Sequence, residues 1–282
     1  MNRQVDGLLS RDSIVRSATP WLLVTGGKGG VGKSTVAVNV ASALAAAGRR
    51  VLLVDLDLGL ANLHVMLGID ALRTVEDFLC GDRTLQDCVH TAGVNLDLVP
   101  AANGSHELAR PDGARRRRLV EALDELARDY DIVVADSPAG IGPELLGFAA
   151  RADAVLCVTT PDPAALTDAY GVIKALDGWS RERGLSLPTP EVLVNQAAGP
   201  EDADALHRRL ASVCEQFLAR RPRLAGWLPR SREVERAVLR QEPLVRADPS
   251  ALASRALVRL AERYAVLLLP PKPLATARGT RP

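Results

Sequence analysis

Aromatic side chains are scarce in this chain of 282 residues: phenylalanine, tryptophan and tyrosine together make up 3% of it. Its core must therefore be filled by valine, leucine and alanine. The four cysteines, Cys80, Cys88, Cys157 and Cys214, form no Cys-x-x-Cys pair, and the four histidines, His64, His90, His106 and His207, are scattered. That removes the spacing that zinc or iron–sulfur ligation needs and leaves the thiols as buried or incidental residues in a reducing cytosol. No charged leader precedes an apolar run with a cleavage site, and no apolar stretch approaches the ~20 residues that span a bilayer. The chain is expected in the cytoplasm. An excess of one charge is lacking too: 35 basic against 34 acidic residues leave +1, so nucleic acid is not expected as a direct ligand. With 47% apolar and 24% charged residues, the length suits one large α/β domain with short appendages.

What is present is an alternation of strand and helix signals. Apolar runs at Trp21–Thr25, Val51–Asp55, Leu96–Val99, Ile132–Asp136, Ala154–Val158 and Val192–Asn195 read as strands, with a further short one at Leu224–Leu228. Between them, Ser34–Ala47 (stopped by Gly48), Gly113–Asp129 and Pro163–Asp177 read as helices, and Ser250–Leu269 as a late, core-packing one. Continuous apolar strands separated by helices predict an α/β, doubly wound, mostly parallel sheet with helices on both faces. Ligands of such sheets sit beyond the carboxyl ends of the strands, where Gly26, Asp55, Asp136 and Asn195 all fall. Residues 20–269 are assigned to this domain, residues 1–19 to a flexible N-terminal segment and the proline-rich residues 270–282 to a flexible tail.

The segment Gly26-Gly27-Lys28-Gly29-Gly30-Val31-Gly32-Lys33-Ser34-Thr35 satisfies the phosphate-loop pattern from Gly27 through Gly32 to Lys33 and Ser34. Glycines let the backbone wrap a triphosphate with its amides pointing inward, and the following helix adds its positive end. Lys33 would reach the β- and γ-phosphates, and Ser34 would place its hydroxyl on Mg²⁺. The strand before the loop and the helix after it supply the context that an ordinary glycine turn lacks.

Asp136 closes an apolar strand and has the form of the acid that holds Mg²⁺ beside such a loop. Asp55 and Asp57 are given separate roles, on the view that alternation sends their side chains to opposite sides. Asp57 would orient the water that attacks the γ-phosphate, and Asp55 would support the metal's waters or Lys33. Lys28 is a second cation that the phosphate-loop pattern does not need. It would screen its own triphosphate or reach a facing subunit. The run Arg115–Arg118 opens an amphipathic helix and reads as a solvated face.

The loop with its extra lysine resembles the deviant Walker A motif of the MinD/ParA-type ATPases. Asp55-Leu56-Asp57-Leu58-Gly59-Leu60-Ala61-Asn62-Leu63 resembles the switch I segment of the MinD-like branch, and Asp136-Ser137-Pro138-Ala139-Gly140-Ile141 resembles switch II. Thr159–Pro163, then Leu166-Thr167-Asp168-Ala169-Tyr170-Gly171-Val172-Ile173-Lys174 and Ala237–Pro243, are similar to segments of the flagellar-number regulators (FleN/FlhG type). The resemblance covers roughly residues 20–268. It implies ATP and Mg²⁺ as cofactors, bound by Gly27, Lys28, Gly29, Gly30, Val31, Gly32, Lys33, Ser34, Thr35 and Asn195. Thr35 would hold the α-phosphate and Asn195 the adenine, with Ser34, Asp55 and Asp136 at the metal and Lys28, Lys33 and Asp57 carrying slow hydrolysis.

The resemblance also implies an ATP-dependent homodimer in which each Lys28 reaches the partner's phosphates. The expected function is control of flagellar number and placement through a flagellar GTPase, a basal-body component or a flagellar transcriptional activator. Contact with the cytoplasmic membrane or the cell pole would be peripheral. Division-site positioning of the MinD kind and cargo partitioning of the ParA kind are the alternatives. The chain departs from the family at His64, where Asp is usual, and at Arg230-Ser231-Arg232, where Asp usually follows the late proline. Residues 3–9 keep only Gln4 and Leu8 of an N-terminal activator motif found in some members.

Overall fold

A computed structural model describes residues 18–101 and 112–271. The readings placed on the terminal segments, the activator-like residues 3–9 among them, lie outside the described residues. One sheet of eight strands organises the molecule, in the order β3-β4-β2-β5-β1-β6-β7-β8. The strands are β1 (Trp21–Thr25), β2 (Val51–Asp55), β3 (His90–Gly93), β4 (Leu96–Val99), β5 (Ile132–Asp136), β6 (Ala154–Thr159), β7 (Glu191–Ala197) and β8 (Leu224–Pro229). All neighbours run parallel except β3, which lies antiparallel on β4 with a bulge between Thr91 and Gly93.

Strand alternation divides each apolar run between two cores. Trp21 and Leu23 face one layer, together with Leu52 and Val54; Leu22 and Val24 face the other, together with Val51 and Leu53. Leu22, Leu23 and Val24 are fully buried, each contributing roughly 1.5–3 kcal/mol. The first layer is closed by α3 (Val75–Cys80), α4 (Gly113–Leu126), α5 (Pro143–Ala149), α6 (Pro163–Arg183) and α7 (Pro200–Leu218). The second is closed by α1 (Lys33–Ala46) and α10 (Leu252–Leu268), with the short α2 (Leu63–Met66), α8 (Arg232–Leu239) and α9 (Leu244–Ala247) at its margin. In α1, Val36 through Ala45 are all buried, and their small side chains let the helix sit between the sheet and α10. Asn39 fastens this arrangement: its amide donates to Thr35 O at 2.8 Å and its oxygen accepts from Val245 N at 3.0 Å.

The arginine run does not form a uniformly solvated face. Arg116 is buried, and the Arg118 guanidinium lies 4.6 Å from the centre of the Phe78 ring, a cation–π contact that joins α4 to α3. Successive residues of a helix point about 100° apart, so a run of four must turn one member inward.

Candidate functional site

The registers bring the chemistry to one edge. Val24 pairs with Asp136, Asp55 pairs with Asp136, and Thr25 pairs with Cys157. The carboxyl ends of β2, β5, β1 and β6 therefore lie side by side, with the glycine loop emerging from β1 between β5 and β6.

Close approach explains two of the loop's glycines. A Cβ on Gly27 would sit 2.3 Å from the backbone carbonyl of Asp168 in α6, and one on Gly32 would sit 2.3 Å from Asn195 Nδ2. Gly32 also has φ +95°, which disfavours any side chain. Around Gly29 and Gly30 an added Cβ would meet nothing within 4 Å, so the crown of the loop is open where its base is packed. The Leu166–Lys174 segment thus supports the site directly, since its backbone at Asp168 is the seat on which the phosphate loop rests.

The two lysines are treated differently. Lys33, the first residue of α1, is buried. Lys28 is about half exposed and donates to Asp162 Oδ2 at 2.9 Å. Asp162 also caps α6 by accepting from Ala164 N at 2.8 Å. In a single copy of the chain the second lysine is thus held by its own subunit, with the charge of Asp168 adding to that of Asp162.

The acids lie on the other side of the loop. Asp136 is buried, and its Oδ1 has no hydrogen-bond partner. Burial pushes its carboxyl up to about 8, with the charge of Asp55 pushing the same way and the Ser34 hydroxyl and Lys33 pulling back. Asp55 is fully buried and pushed up to about 7 by burial, against the amides of Asp57, Asn62 and Leu63 that it accepts from at 3.0, 3.2 and 3.3 Å. Asp55 therefore moulds the loop that leads into α2.

The expectation that Asp55 and Asp57 point apart does not hold. Residues two apart share a face of a strand, the strand ends at Asp55, and the Asp57 amide folds back onto Asp55. The charge of Asp57 is felt by both Asp55 and Asp136. Its Oδ1 accepts from Leu60 N at 3.1 Å.

These groups suit a divalent cation: two buried carboxylates of like charge, an unpartnered carboxylate oxygen and the Ser34 hydroxyl bonded to the same acid. Asn195 sits beside the loop, donating from Nδ2 to Val31 O at 2.8 Å and accepting at Oδ1 from Gln196 N at 2.9 Å. It braces the loop from within β7, a role its place in the sequence does not reveal. His64 lies in α2, its Nδ1 buried without a partner and its pKa lowered by burial and by His90. Arg230 and Gln196, absent from the candidate residues read in the sequence, line the space beside the loop.

Fold and loop together define a P-loop nucleotide-binding protein. A family described as an AAA domain matches residues 22–182. The antiactivator FleN of Pseudomonas aeruginosa is 36% identical over 89% of this chain and 88% of its own length. The flagellum site-determining protein YlxH of Helicobacter pylori is 32% identical over 86% of this chain and 81% of its own. Among solved structures, the septum site-determining protein MinD of Pyrococcus horikoshii, complexed with Mg-ADP, superposes with a TM-score of 0.71 at 27% identity, over 88% of this chain and 97% of that one. The chain belongs to the MinD/ParA-type ATPases, in the branch that contains FleN.

Among the described residues no helix is long and apolar enough to cross a membrane, and no group of three or more His, Cys, Asp or Glu is placed to hold a metal.

Proposed function

We propose that this protein is an ATP-driven dimerising switch that sets flagellar number and placement through protein partners; its relatives are named an antiactivator, FleN, and a flagellum site-determining protein, YlxH. The observation that carries the mechanism is the division of labour between the lysines: Lys33 is buried at the start of α1, while Lys28 stands at the open lip of the loop on an exposed ion pair. An exposed pair is easily exchanged for a stronger one.

In this reading the amides from Gly27 to Gly32 cradle the ATP phosphates, Lys33 neutralises the β- and γ-phosphates, and Thr35 binds the α-phosphate. Ser34 and Asp136, with Asp55 beside them, would hold magnesium, which would supply positive charge to the phosphate oxygens. Asp57 orients the attacking water. Asn195 retains one amide hydrogen and one lone pair toward the adenine. Two loaded copies face each other, and each Lys28 leaves Asp162 for the phosphates held by its partner. ATP favours the dimer only by the margin with which it binds that state more tightly. Slow hydrolysis returns the monomers.

The dimer presents the surface read by a flagellar GTPase, a basal-body component or a flagellar gene activator, and the protein works from the cytoplasm, with any membrane contact peripheral. Residues 20–269 form the ATPase unit in this proposal.

Two experiments test it. In solution, ATP and Mg²⁺ shift the full chain from monomer to dimer by light scattering. Lys28→Ala still binds nucleotide but stays monomeric, and Asp57→Ala binds and dimerises without releasing phosphate. A Lys28→Ala protein that dimerises normally removes the trans role. In cells, deletion gives extra or misplaced flagella; minicells with normal flagellation would instead assign the protein to division-site positioning.

A further inference from the structure

The outer face of α8 carries an arrangement of charge that the nucleotide site does not use. Arg232, Arg236 and Arg240 recur every fourth residue along it, all exposed. Among the described residues none of the three is in an ion pair. Glu233 accepts from the Ser231 hydroxyl at 2.6 Å and feels the charge of Arg236. Glu235 is the exposed carboxylate of the helix, against three exposed arginines. Like charges four residues apart repel one another on a helix.

Within this stripe stands Leu239, 84% exposed, with Val238 beside it at 41%. On an ideal helix Leu239 falls about 20° from Arg232 and about 60° from Arg236. An apolar side chain is thus framed by guanidinium groups and covered by nothing in the chain's described residues.

The inner face of the same helix is joined to the nucleotide machinery. Ala237 is buried, and Val234, Ala237 and Val238 line a crevice with Thr35 and Asn39 of α1 and Met66 of α2. Gln241, which follows α8, has φ +56°, and its Cβ lies 3.5 Å from where a Cβ on Gly68 would sit. Gly68 follows α2, whose first amide, Leu63 N, donates to Asp55. The helix therefore rests on the start of α1, which carries the phosphate loop, and on the turn that Asp55 moulds. A shift of either moves the outer face.

Guanidinium groups about 6 Å apart along an axis match carboxylates spaced by one turn on a facing helix, and each planar fork can bond a carboxylate through two parallel hydrogen bonds. A bilayer is the poorer fit. An interfacial helix needs an apolar face along its length, whereas α8 exposes large apolar side chains only in its last turn.

We propose that the outer face of α8 docks an acidic amphipathic helix of a protein partner, with carboxylates on the arginines and apolar side chains closing over Leu239. The proposal deepens the switch reading and rests on it for control by ATP.

The test places p-benzoylphenylalanine at position 239 of the full chain, in the cells that carry it, and sequences the crosslinked peptide. Val94, 87% exposed in the turn between β3 and β4, is the control position. Crosslinking to another protein is expected at about tenfold the control yield or more, on a helical segment with Asp or Glu spaced three or four residues apart. Arg236→Glu/Arg240→Glu lowers the yield by about fivefold or more, and Lys in place of the partner's carboxylates restores it. Both arginines are exposed, so this variant is expected to keep its melting temperature and its ATP-dependent dimerisation. Flotation with phosphatidylcholine vesicles containing 30% phosphatidylglycerol runs in parallel. A yield no higher than at Val94, a partner segment without carboxylates, or crosslinks confined to a second copy of this chain overturn the proposal. So does vesicle binding that the double variant loses while no protein is crosslinked. Each of these leaves the ATP switch standing, whereas a chain that binds no nucleotide yet crosslinks as expected overturns the switch and keeps the docking face.

Discussion

The phosphate loop separates two regions that handle charge in opposite ways. Toward β2 and β5, Asp55 and Asp136 are buried with like charges side by side, and one oxygen lacks a partner. Toward β6 and β7, Lys28, Asp162 and Arg230 stand in solvent, and the pair they include is exposed. Buried like charges are costly until a cation joins them, so that side is shaped for a small ion held tightly. Exposed charges contribute little to stability and much to the choice of partner. One loop thus divides a region suited to metal chemistry from a region suited to recognition.

The comparison breaks most visibly if the loop loses its seat. Gly27→Ala forces a methyl group against the Asp168 backbone, whereas Gly29→Ala meets open space. We expect Gly27→Ala to lose about 3 kcal/mol or more in denaturant unfolding and to fail in nucleotide binding, with Gly29→Ala close to wild type in stability. Equal stabilities would show that the loop does not rest on α6.

Next in size is the pH response of the buried side. An unfolded aspartate releases its proton near 3.8, whereas Asp136 is held up to about 8 and Asp55 up to about 7. Between these values the folded chain binds protons that the unfolded chain has lost, so stability is fully present below pH 4 and falls as pH rises through 7 and 8. Without nucleotide or magnesium, the contribution of this pair should decline by several kcal/mol between pH 5 and pH 8. Asp136→Asn, which cannot titrate, should flatten that part of the profile. An unchanged slope would mean that these acids titrate normally.

Much of this frame was legible in the sequence. The central strands are continuous apolar runs, and the loop between β1 and α1 has a spacing that few other sites share. The edge strand His90-Thr91-Ala92-Gly93 escaped because it has no apolar alternation and becomes a strand through its pairing to β4. The ion pair of Lys28 with Asp162 escaped for another reason: the partners are 134 positions apart, and nothing local to either announces the other. Asp55 was legible as a carboxylate at the strand end, but its work in moulding the Asp57–Leu63 turn depends on three amides that only the folded chain brings to it. Arg230 was noted in the sequence as a departure from the family, but its place beside the loop comes only with the folded chain.

The smallest effect belongs to the exposed side and sharpens the contrast. Asp162→Ala removes the cis partner of Lys28 and one cap of α6. We expect little change in melting temperature and, at subsaturating ATP, about a two- to threefold larger dimer fraction by light scattering, because the lysine no longer has to leave an internal partner. A smaller dimer fraction would mean that Asp162 itself belongs to the interface.

The rim of the sheet formed by β3 has a consequence for assembly. It is short, runs against its neighbour and is kinked between Thr91 and Gly93, so another chain finds no long, straight ladder there to extend. Adding strands side by side, the route by which open sheets grow into fibres, is obstructed at that margin.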